Sequence, residues 1–410
     1  MGVKMKKIFI VLGMHRSATS LTAGLLFSYG MYAGNEKDLL EANKSNPKGF
    51  FENKKIFLLN EIILYGYGMY NWKYVANKIN LVRYTNYKNE IKYILNDLCS
   101  KSKKEQDIFI KDPRMCLLEP VWRNEIDMLG LEENIIIVFR HPFEVAKSLQ
   151  QRDNMNFSYA LKLWFYYNLS LLFCIADRNI PVLFLNHEKY FNERKEQIRK
   201  IEKFIGRDNS KEDLVDIALW HNYALDMNIT INEELKNIVL ELYEYLLVLS
   251  DKNKTLVSKE DLKLYELYLE KIVRTSYEKD NKDMFYADFK DATGREKKLL
   301  SLYKLQDKKC ILVSKFKDYF NKYNIKKLYI YGNGSITKEL LPILKELEIK
   351  IEKIFDKNQK DYVLDLEDIE PGIYIINTAI NYGNSIHKNL SKYFGNKYIL
   401  DIYELLNNVL

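Results

Sequence analysis

Near its N-terminus the chain reads Ile10-Val-Leu-Gly-Met-His-Arg-Ser-Ala-Thr-Ser-Leu-Thr-Ala-Gly-Leu-Leu26. An apolar run ends at Gly13, a short polar turn follows, and from Ser17 the pattern becomes helical. Strand, tight turn and helix in this order set a helix N-terminus at the carboxyl end of a strand. The unpaired backbone N–H groups there, with the positive end of the macrodipole, favour an anion. Ser17, Thr19 and Ser20 add hydroxyl groups, and Arg16 adds a fixed positive charge. An ordinary strand-to-helix turn capped by Ser or Thr reads the same way, so this segment alone leaves both meanings open.

The loop differs from that of nucleoside triphosphatases, G-x-x-x-x-G-K-[ST], whose Lys reaches the β- and γ-phosphates. Counted from Gly13, Ala18 takes the place of the second Gly and Thr19 the place of Lys. The cation sits inside the loop, at Arg16. That spacing argues against ATP hydrolysis and for a nucleotide whose terminal group is not a γ-phosphate. Two later segments strengthen the anion reading. Ile108-Phe-Ile-Lys-Asp-Pro-Arg114 is a short strand ending in a charged turn. In Ile135-Ile-Ile-Val-Phe-Arg-His-Pro-Phe-Glu-Val-Ala-Lys-Ser148 a buried strand ends at Arg140, and Pro142 stands near the start of a helix. Arg140 and Ser148, eight residues apart, converge on a second phosphate if that helix begins after Pro142. Arginine suits bidentate phosphate recognition.

With these segments in place, the chain resembles the PAPS-dependent sulfotransferases, specifically their bacterial carbohydrate-type branch. Their 5′-phosphosulfate loop commonly reads [KR]-S-G-T-S, and here it is Arg16-Ser17-Ala18-Thr19-Ser20. Their 3′-phosphate motif, R-x-P-x-x-x-x-x-S, matches Arg140, Pro142 and Ser148. Asn46-Pro-Lys-Gly-Phe-Phe-Glu-Asn53 is similar to the family's N-P-x-G-[YF]-x-E segment, and Lys111-Asp-Pro-Arg114, Trp122 and Leu163-Trp164 are further family-like pieces. The likeness covers residues 7 to roughly 207. The chain departs from the pattern at Ala18, where the family has Gly, and at His187, where related sequences often carry Tyr. Alanine restricts how closely the loop backbone approaches its ligand.

The resemblance implies transfer of a sulfuryl group from PAPS to a hydroxyl, leaving PAP. Arg16 would stabilise the leaving 5′-phosphate and the transferring sulfuryl oxygens. The loop Gly13, Ser17, Ala18, Thr19 and Ser20 would hold the 5′ end, and Arg140 with Ser148 the 3′-phosphate. Such a transfer needs a proton acceptor for the attacking hydroxyl and stabilisation of charge on the leaving group. Glu52, matching the family's carboxylate, is the first candidate base, against the plain reading of a surface helix-capping Glu. His15, beside the loop, is the competing base. Lys111, Asp112 and Arg114 either bind the acceptor or form an ion-paired turn. His141 and His187 read as structural, and the mechanism requires no divalent metal. The implied acceptor is a carbohydrate hydroxyl, on a surface glycan or its lipid-linked precursor. Trp72, Trp122 and Trp164 either stack on a sugar or pack in the core. Two other readings compete. A nucleotide-dependent kinase would need the Lys this loop lacks, and a non-catalytic nucleotide- or glycan-binding protein would keep the donor site without a usable base.

Composition agrees with a globular protein of several domains. The chain has 410 residues and 47% hydrophobic content, more than one core usually holds. Its net charge is +7. The last 85 residues hold 11 Lys/Arg against 12 Asp/Glu, so the basic excess lies with the first 325, as an anionic donor or acceptor favours. No dense Lys/Arg block marks a nucleic-acid groove. Cys99, Cys116, Cys174 and Cys310 form no C-x-x-C pair and read as reduced thiols, and no His/Cys cluster has metal-ligand spacing. Lys4, Lys6 and Lys7 precede only five apolar residues, which lead into the Gly13 loop, so they introduce a strand rather than a signal peptide. With no apolar span of 18 residues, and a sulfate donor made in the cytosol, a soluble cytoplasmic protein is expected.

Strands are expected at 7–13, 107–111, 134–140 and 180–185, and helices at 17–30, 88–100, 142–152, 157–178 and 193–205, with loop and a helical start in 36–61. The alternation implies an α/β fold: a P-loop-like parallel sheet flanked by helices. Residues 208–322 are mostly helical in pattern, with Leu235, Val239, Leu242 and Leu246 on one face. Then Lys327-Leu-Tyr-Ile-Tyr-Gly-Asn-Gly-Ser-Ile-Thr337 reads as strand, Gly-rich turn and helix start, followed by strands at 349–355 and 373–377 and a last one near 398–401. Gly332, Gly334 and Asp356, 22 residues beyond Gly334, resemble a Rossmann nucleotide fingerprint with Thr337 at the third Gly. The expected organisation is a donor domain at 1–250, a helical connector at 251–325 and a small Rossmann-like domain at 326–410. In the last, the glycines either bind a nucleotide or merely shape a turn.

Overall fold

The computed structural model describes residues 5–43, 46–66, 72–73, 75, 81–82, 85–207, 231–252, 256–274, 298, 301–302, 304–305, 309–355, 370, 372–379, 390–391 and 394–409. The chain forms two compact units, Met1–Lys282 and Asp283–Leu410. The division falls inside the stretch read as a connector.

The first unit is an α/β domain. Its strands are β1 (Lys7–Leu12), β2 (Ile108–Lys111), β3 (Glu132–Phe139) and β4 (Val182–Asn186). Its helices are α1 (Thr19–Ser28), α2 (Lys54–Gly66), α3 (Lys88–Lys101), α4 (Met115–Met128), α5 (Pro142–Asp153), α6 (Phe157–Ile175), α7 (Lys189–Asn192), α8 (Arg194–Ile205), α9 (Glu233–Lys252) and α10 (Lys259–Arg274). The sheet is wholly parallel in the order β2-β1-β3-β4. Strands such as Ile8-Phe-Ile-Val-Leu12 and Ile135-Ile-Ile-Val-Phe139 are near-continuous apolar runs because both faces of such a sheet are covered. On one face Phe9, Val11, Phe109, Ile136 and Val138 pack with Ala23, Leu25 and Leu26 of α1 and Ile198, Ile201 and Ile205 of α8. The expected face of α9 holds, since Leu235, Val239, Leu242 and Leu246 are all buried. Helix α6 is buried almost all round, as its apolar composition requires. No helix among the described residues is long and apolar enough to cross a membrane.

Helix α4 was not expected from the sequence. It carries Pro120 in its interior, which removes an intrahelical hydrogen bond to the carbonyl of Cys116. That carbonyl accepts instead from the Cys174 thiol at 3.4 Å. Burial of Met115, Cys116, Leu118, Val121, Trp122 and Ile126 outweighs the propensity of one residue.

The second unit repeats the architecture on a smaller scale. Strands β5 (Lys327–Tyr331), β6 (Lys350–Phe355), β7 (Tyr374–Asn377) and β8 (Ile399–Asp401) form a parallel sheet in the order β6-β5-β7-β8. Helices α11 (Lys309–Lys322), α12 (Ser335–Glu346) and α13 (Ile402–Val409) accompany it. In each sheet the strand order reverses beside the first strand, leaving a crevice at the carboxyl ends of β1 and β3, and of β5 and β7. Ligands of doubly wound sheets bind in such crevices.

Candidate functional site

The turn after β1 opens into the crevice of the first unit. Gly13 is dictated by close approach: a Cβ there would lie 2.4 Å from the Val138 carbonyl oxygen and 2.7 Å from Thr19 Cγ2. The loop then places two non-glycine residues in the left-handed region, Arg16 at φ 71° and Ala18 at φ 69°. Side chains adopt this region at a cost, and such residues concentrate at ligand-binding turns. The first turn of α1 contains no acidic residue to offset its dipole. Thr22 holds the loop from below, donating to the Ala18 carbonyl at 3.2 Å and pairing with the Tyr190 hydroxyl at 2.7 Å. Thr19 is buried, and Ser20 faces the neighbouring β2 end. Ser17 is fully buried, yet its hydroxyl has no hydrogen-bond partner among the described residues.

Across the crevice, β3 delivers Arg140. The Arg140 side chain is 5% exposed. It donates through Nε to Glu144 at 2.7 Å and through Nη1 to the Arg16 carbonyl at 3.3 Å. The Trp164 indole donates to the Arg140 carbonyl at 3.0 Å, fixing the strand end against α6. Ser148, two turns into α5, accepts from Arg16 Nε at 2.8 Å. The structure therefore joins Arg16, Arg140 and Ser148 in one cluster. It also hydrogen-bonds Arg16 to Ser148, which the sequence had assigned to opposite ends of a nucleotide. Of the neighbouring imidazoles, His141 caps α5 by accepting from the Phe143 N–H at 3.3 Å. His187 follows β4, and burial beside Arg140 pushes its pKa down to about 2.

A second group of side chains lies at the β2 end. Phe51 takes φ 56° and its ring lies 5.6 Å from that of Phe27, in the space left by Gly24. The next residue, Glu52, turns inward and is only 5% exposed. It accepts from Lys111 Nζ at 2.5 Å, and the same ammonium donates to Ser20 at 3.1 Å. Lys111 thus bridges the carboxylate to the turn after β1. Burial raises the Glu52 pKa above its ordinary value, against the opposing pull of Lys111. Glu52 is therefore not the exposed capping residue of the plain reading.

Asp112 and Arg114 are built into the same wall. Asp112 accepts from the Arg114 N–H and Nη1, each at 2.9 Å, and from Asn60 at 2.9 Å. Arg114 also pairs with Glu61 and stacks 4.4 Å above the Phe57 ring. Asn60 in turn accepts from the Trp122 indole at 2.8 Å. These contacts match the ion-paired turn of the two sequence readings. Asn60 and Glu61 were missed in the sequence. Their only signal is two polar residues in the buried run Leu58–Leu64 of α2, which a periodicity reading passes over.

His15 lies on the other flank of the loop. Its ring lies 4.1 Å from that of Trp72, tilted by 38°, and 6.2 Å from that of Tyr167. Burial, then the positive field of Arg114, Arg152, Lys111 and Arg16, holds its pKa well below 6.5. The imidazole is neutral at neutral pH, and its buried Nε2 has no partner among the described residues. Trp122 and Trp164 are core residues, fully buried. Trp72 is the indole that reaches the loop, with Arg152 5.4 Å above it.

In the second unit, Gly332 has φ 102°, and a Cβ there would lie 2.7 Å from Thr378 Oγ1. Thr337 donates to the Gly332 carbonyl and pairs with Thr378, both at 2.7 Å. These two hydroxyls are engaged with each other and with the turn. Gly334 faces open space at the start of α12. Asp356 lies outside the described residues.

No family model matches the chain, and no curated protein matches it significantly. Solved structures similar over part of it include two sulfotransferase domains. One is the sulfotransferase domain from the Synechococcus PCC 7002 olefin synthase, at 15% identity and a TM-score of 0.34, covering 60% of this chain and 97% of that one. The other is the sulfotransferase domain from the curacin biosynthetic pathway, at 14% identity and a TM-score of 0.30, covering 51% and 77%. Likeness at this level assigns no activity, which leaves function to the side chains of the crevice.

Proposed function

We propose that the first unit is a PAPS-dependent sulfotransferase acting on a hydroxyl, with carbohydrate as the acceptor class. The observation that carries this reading is the meeting of Arg16, Arg140 and Ser148 at the β1/β3 crevice. The residues fit such a donor. The buried Ser17 hydroxyl has no partner among the described residues, and the α1 N-terminus carries no acid in its first turn. When bound, PAPS supplies the sulfuryl group and a phosphate leaving group. Ser17 and the loop amides would hold the 5′ end, Arg16 would neutralise developing charge, and Arg140 with Ser148 would hold the 3′-phosphate. Glu52 is the proton acceptor for the incoming hydroxyl. Its raised pKa moves it towards the working pH of a general base. Lys111, bridging Glu52 and Ser20, would keep that base next to the loop. Burial and the surrounding positive charge lower the pKa of His15, opposing the proton uptake a base requires, whereas burial raises that of Glu52. Thr19 in place of the nucleotide-phosphate Lys weighs against a kinase, and a buried carboxylate beside the loop weighs against a purely binding role.

Calorimetric titration of PAP, ATP and ADP into wild type and Arg140→Ala tests the donor site. The expected result is PAP binding that collapses in the variant. Absence of PAP binding, or a preference for ATP, overturns the proposal. Labelled PAPS with a panel of glycans, run on wild type and Glu52→Gln, then tests the acceptor class and the base.

A further inference from the structure

A second buried cluster lies at the opposite, amino-terminal end of the first sheet's strands. Glu133 is the second residue of β3, about 20 Å along the strand from Arg140. Glu119 projects from α4 and is fully buried. Both carboxylates converge on Arg178, in the turn after α6. Glu119 Oε1 accepts from Arg178 Nη1 at 2.8 Å, and Glu133 Oε2 pairs with Nη2. The second oxygens, Glu119 Oε2 and Glu133 Oε1, are buried and have no donor among the described residues. The two carboxyl groups lie side by side on one guanidinium, Glu119 on Nη1 and Glu133 on Nη2. Two ionised carboxylates on one guanidinium leave a negative charge that is offset only by Arg123, farther off at 3.8 Å and partly exposed.

We propose that Glu119 and Glu133 share a single proton, forming with Arg178 a pH-sensitive clasp that joins α4, β3 and the turn after α6. The shared proton supplies a donor among carboxyl oxygens that otherwise have none and leaves one negative charge on the pair opposite Arg178. Like-charged carboxyl groups in contact cannot both ionise at ordinary pH. Accordingly the Glu119 pKa is pushed up to about 8, first by burial and then by Glu133. The other charged or titratable neighbours are few. Arg123, on α4, stands 3.8 Å from Glu119, and the buried Cys174 faces the cluster from α6, its carbonyl accepting from Arg178 Nη1 at 3.0 Å. The next residue to Arg178, Asp177, receives the Lys259 N–H at 3.2 Å and donates its own N–H to Val257, so the same turn also fastens the start of α10.

The sign of the effect follows. Between the ordinary carboxylate range and about pH 8 the folded clasp holds one proton that the unfolded chain does not. Stability therefore falls as pH rises through that window and levels off above it. Depressed histidines such as His15 and His187 act the opposite way, and only below their ordinary pKa of 6.5. Above about pH 7 the histidines no longer contribute, the raised thiols of Cys116 and Cys174 act with the same sign only as pH nears their ordinary 9.0, and comparison with a variant separates Glu119 from these thiols and from Glu52.

The test is thermal unfolding of the full chain from pH 6 to pH 9 for wild type, Glu119→Gln and Glu133→Gln. A carboxamide reproduces the protonated partner, so each variant should lose the Glu119-dependent part of the pH slope. That part amounts to at most about a tenfold fall in the folding constant per pH unit. Parallel slopes in wild type and both variants overturn the clasp. Should both variants misfold, infrared spectroscopy of wild type in D₂O decides. A protonated-carboxyl C=O stretch at pH 7 that disappears towards pH 9 and persists in Glu52→Gln supports it, and absence of that band, or its loss in Glu52→Gln, refutes it. None of these readouts depends on sulfuryl transfer.

Discussion

The buried Lys111–Glu52 pair offers the sharpest perturbation of the proposed site. Lys111→Met keeps the length of the side chain and removes its charge. Glu52 then stays buried, 5% exposed, without the ammonium that lies 2.5 Å away. Breaking a buried pair from one side costs about 3–5 kcal/mol, because the remaining ion is uncompensated. For a unit of this size that corresponds to a fall of roughly 10 °C in melting temperature. The carboxyl has one escape, which is to bind a proton. Its already raised pKa rises further in the variant, so the folded state holds an extra proton above the ordinary carboxylate range. The loss should therefore be larger at pH 7 than at pH 5. Lys111→Met/Glu52→Gln removes both charges together and should cost at least about 2 kcal/mol less than the sum of the single changes. Differential scanning calorimetry of the four proteins at both pH values measures the cycle. Additive losses, or a Lys111→Met loss that is the same at pH 5 and pH 7, would refute the reasoning.

Other outcomes follow from particular residues. Ala18→Gly relieves a left-handed residue and should raise the melting temperature of the first unit by about 2–4 °C, whereas a β-branched Val there should lower it. Thermal scanning of both variants decides. The pH–rate profile of sulfuryl transfer should lose activity as pH falls through a pKa above the ordinary carboxylate value, and Glu52→Gln should abolish turnover while sparing PAP affinity. An unshifted acidic limb would exclude Glu52 as the base. In the second unit, Gly332→Ala meets Thr378 at 2.7 Å with φ 102° and should destabilise by about 2 kcal/mol or more, while Gly334→Ala, with open space around it, should be tolerated. Equal effects in calorimetry would contradict the packing of that turn.

The sequence by itself determined the alternation of strands and helices in the first unit and the Gly13 and Gly332 turns. Apolar runs of five to eight residues bounded by charged turns have few other solutions, and the loops between them lie where a parallel sheet must expose them. The residue types for an anion were also legible, because arginine, serine and a bare helix start are local features. Helix α4 was not, since its stability comes from burial of Trp122 and Cys116 rather than from its own propensity. Partnership was equally invisible. Arg16 meets Ser148 only because β1 and β3 are neighbours, and Lys111 meets Ser20 only because β2 lies on the other side of β1. Asn60, Glu61, Glu119, Glu133 and Arg178 carry no motif at all. Their significance is their burial, and burial depends on which elements the tertiary fold packs around them.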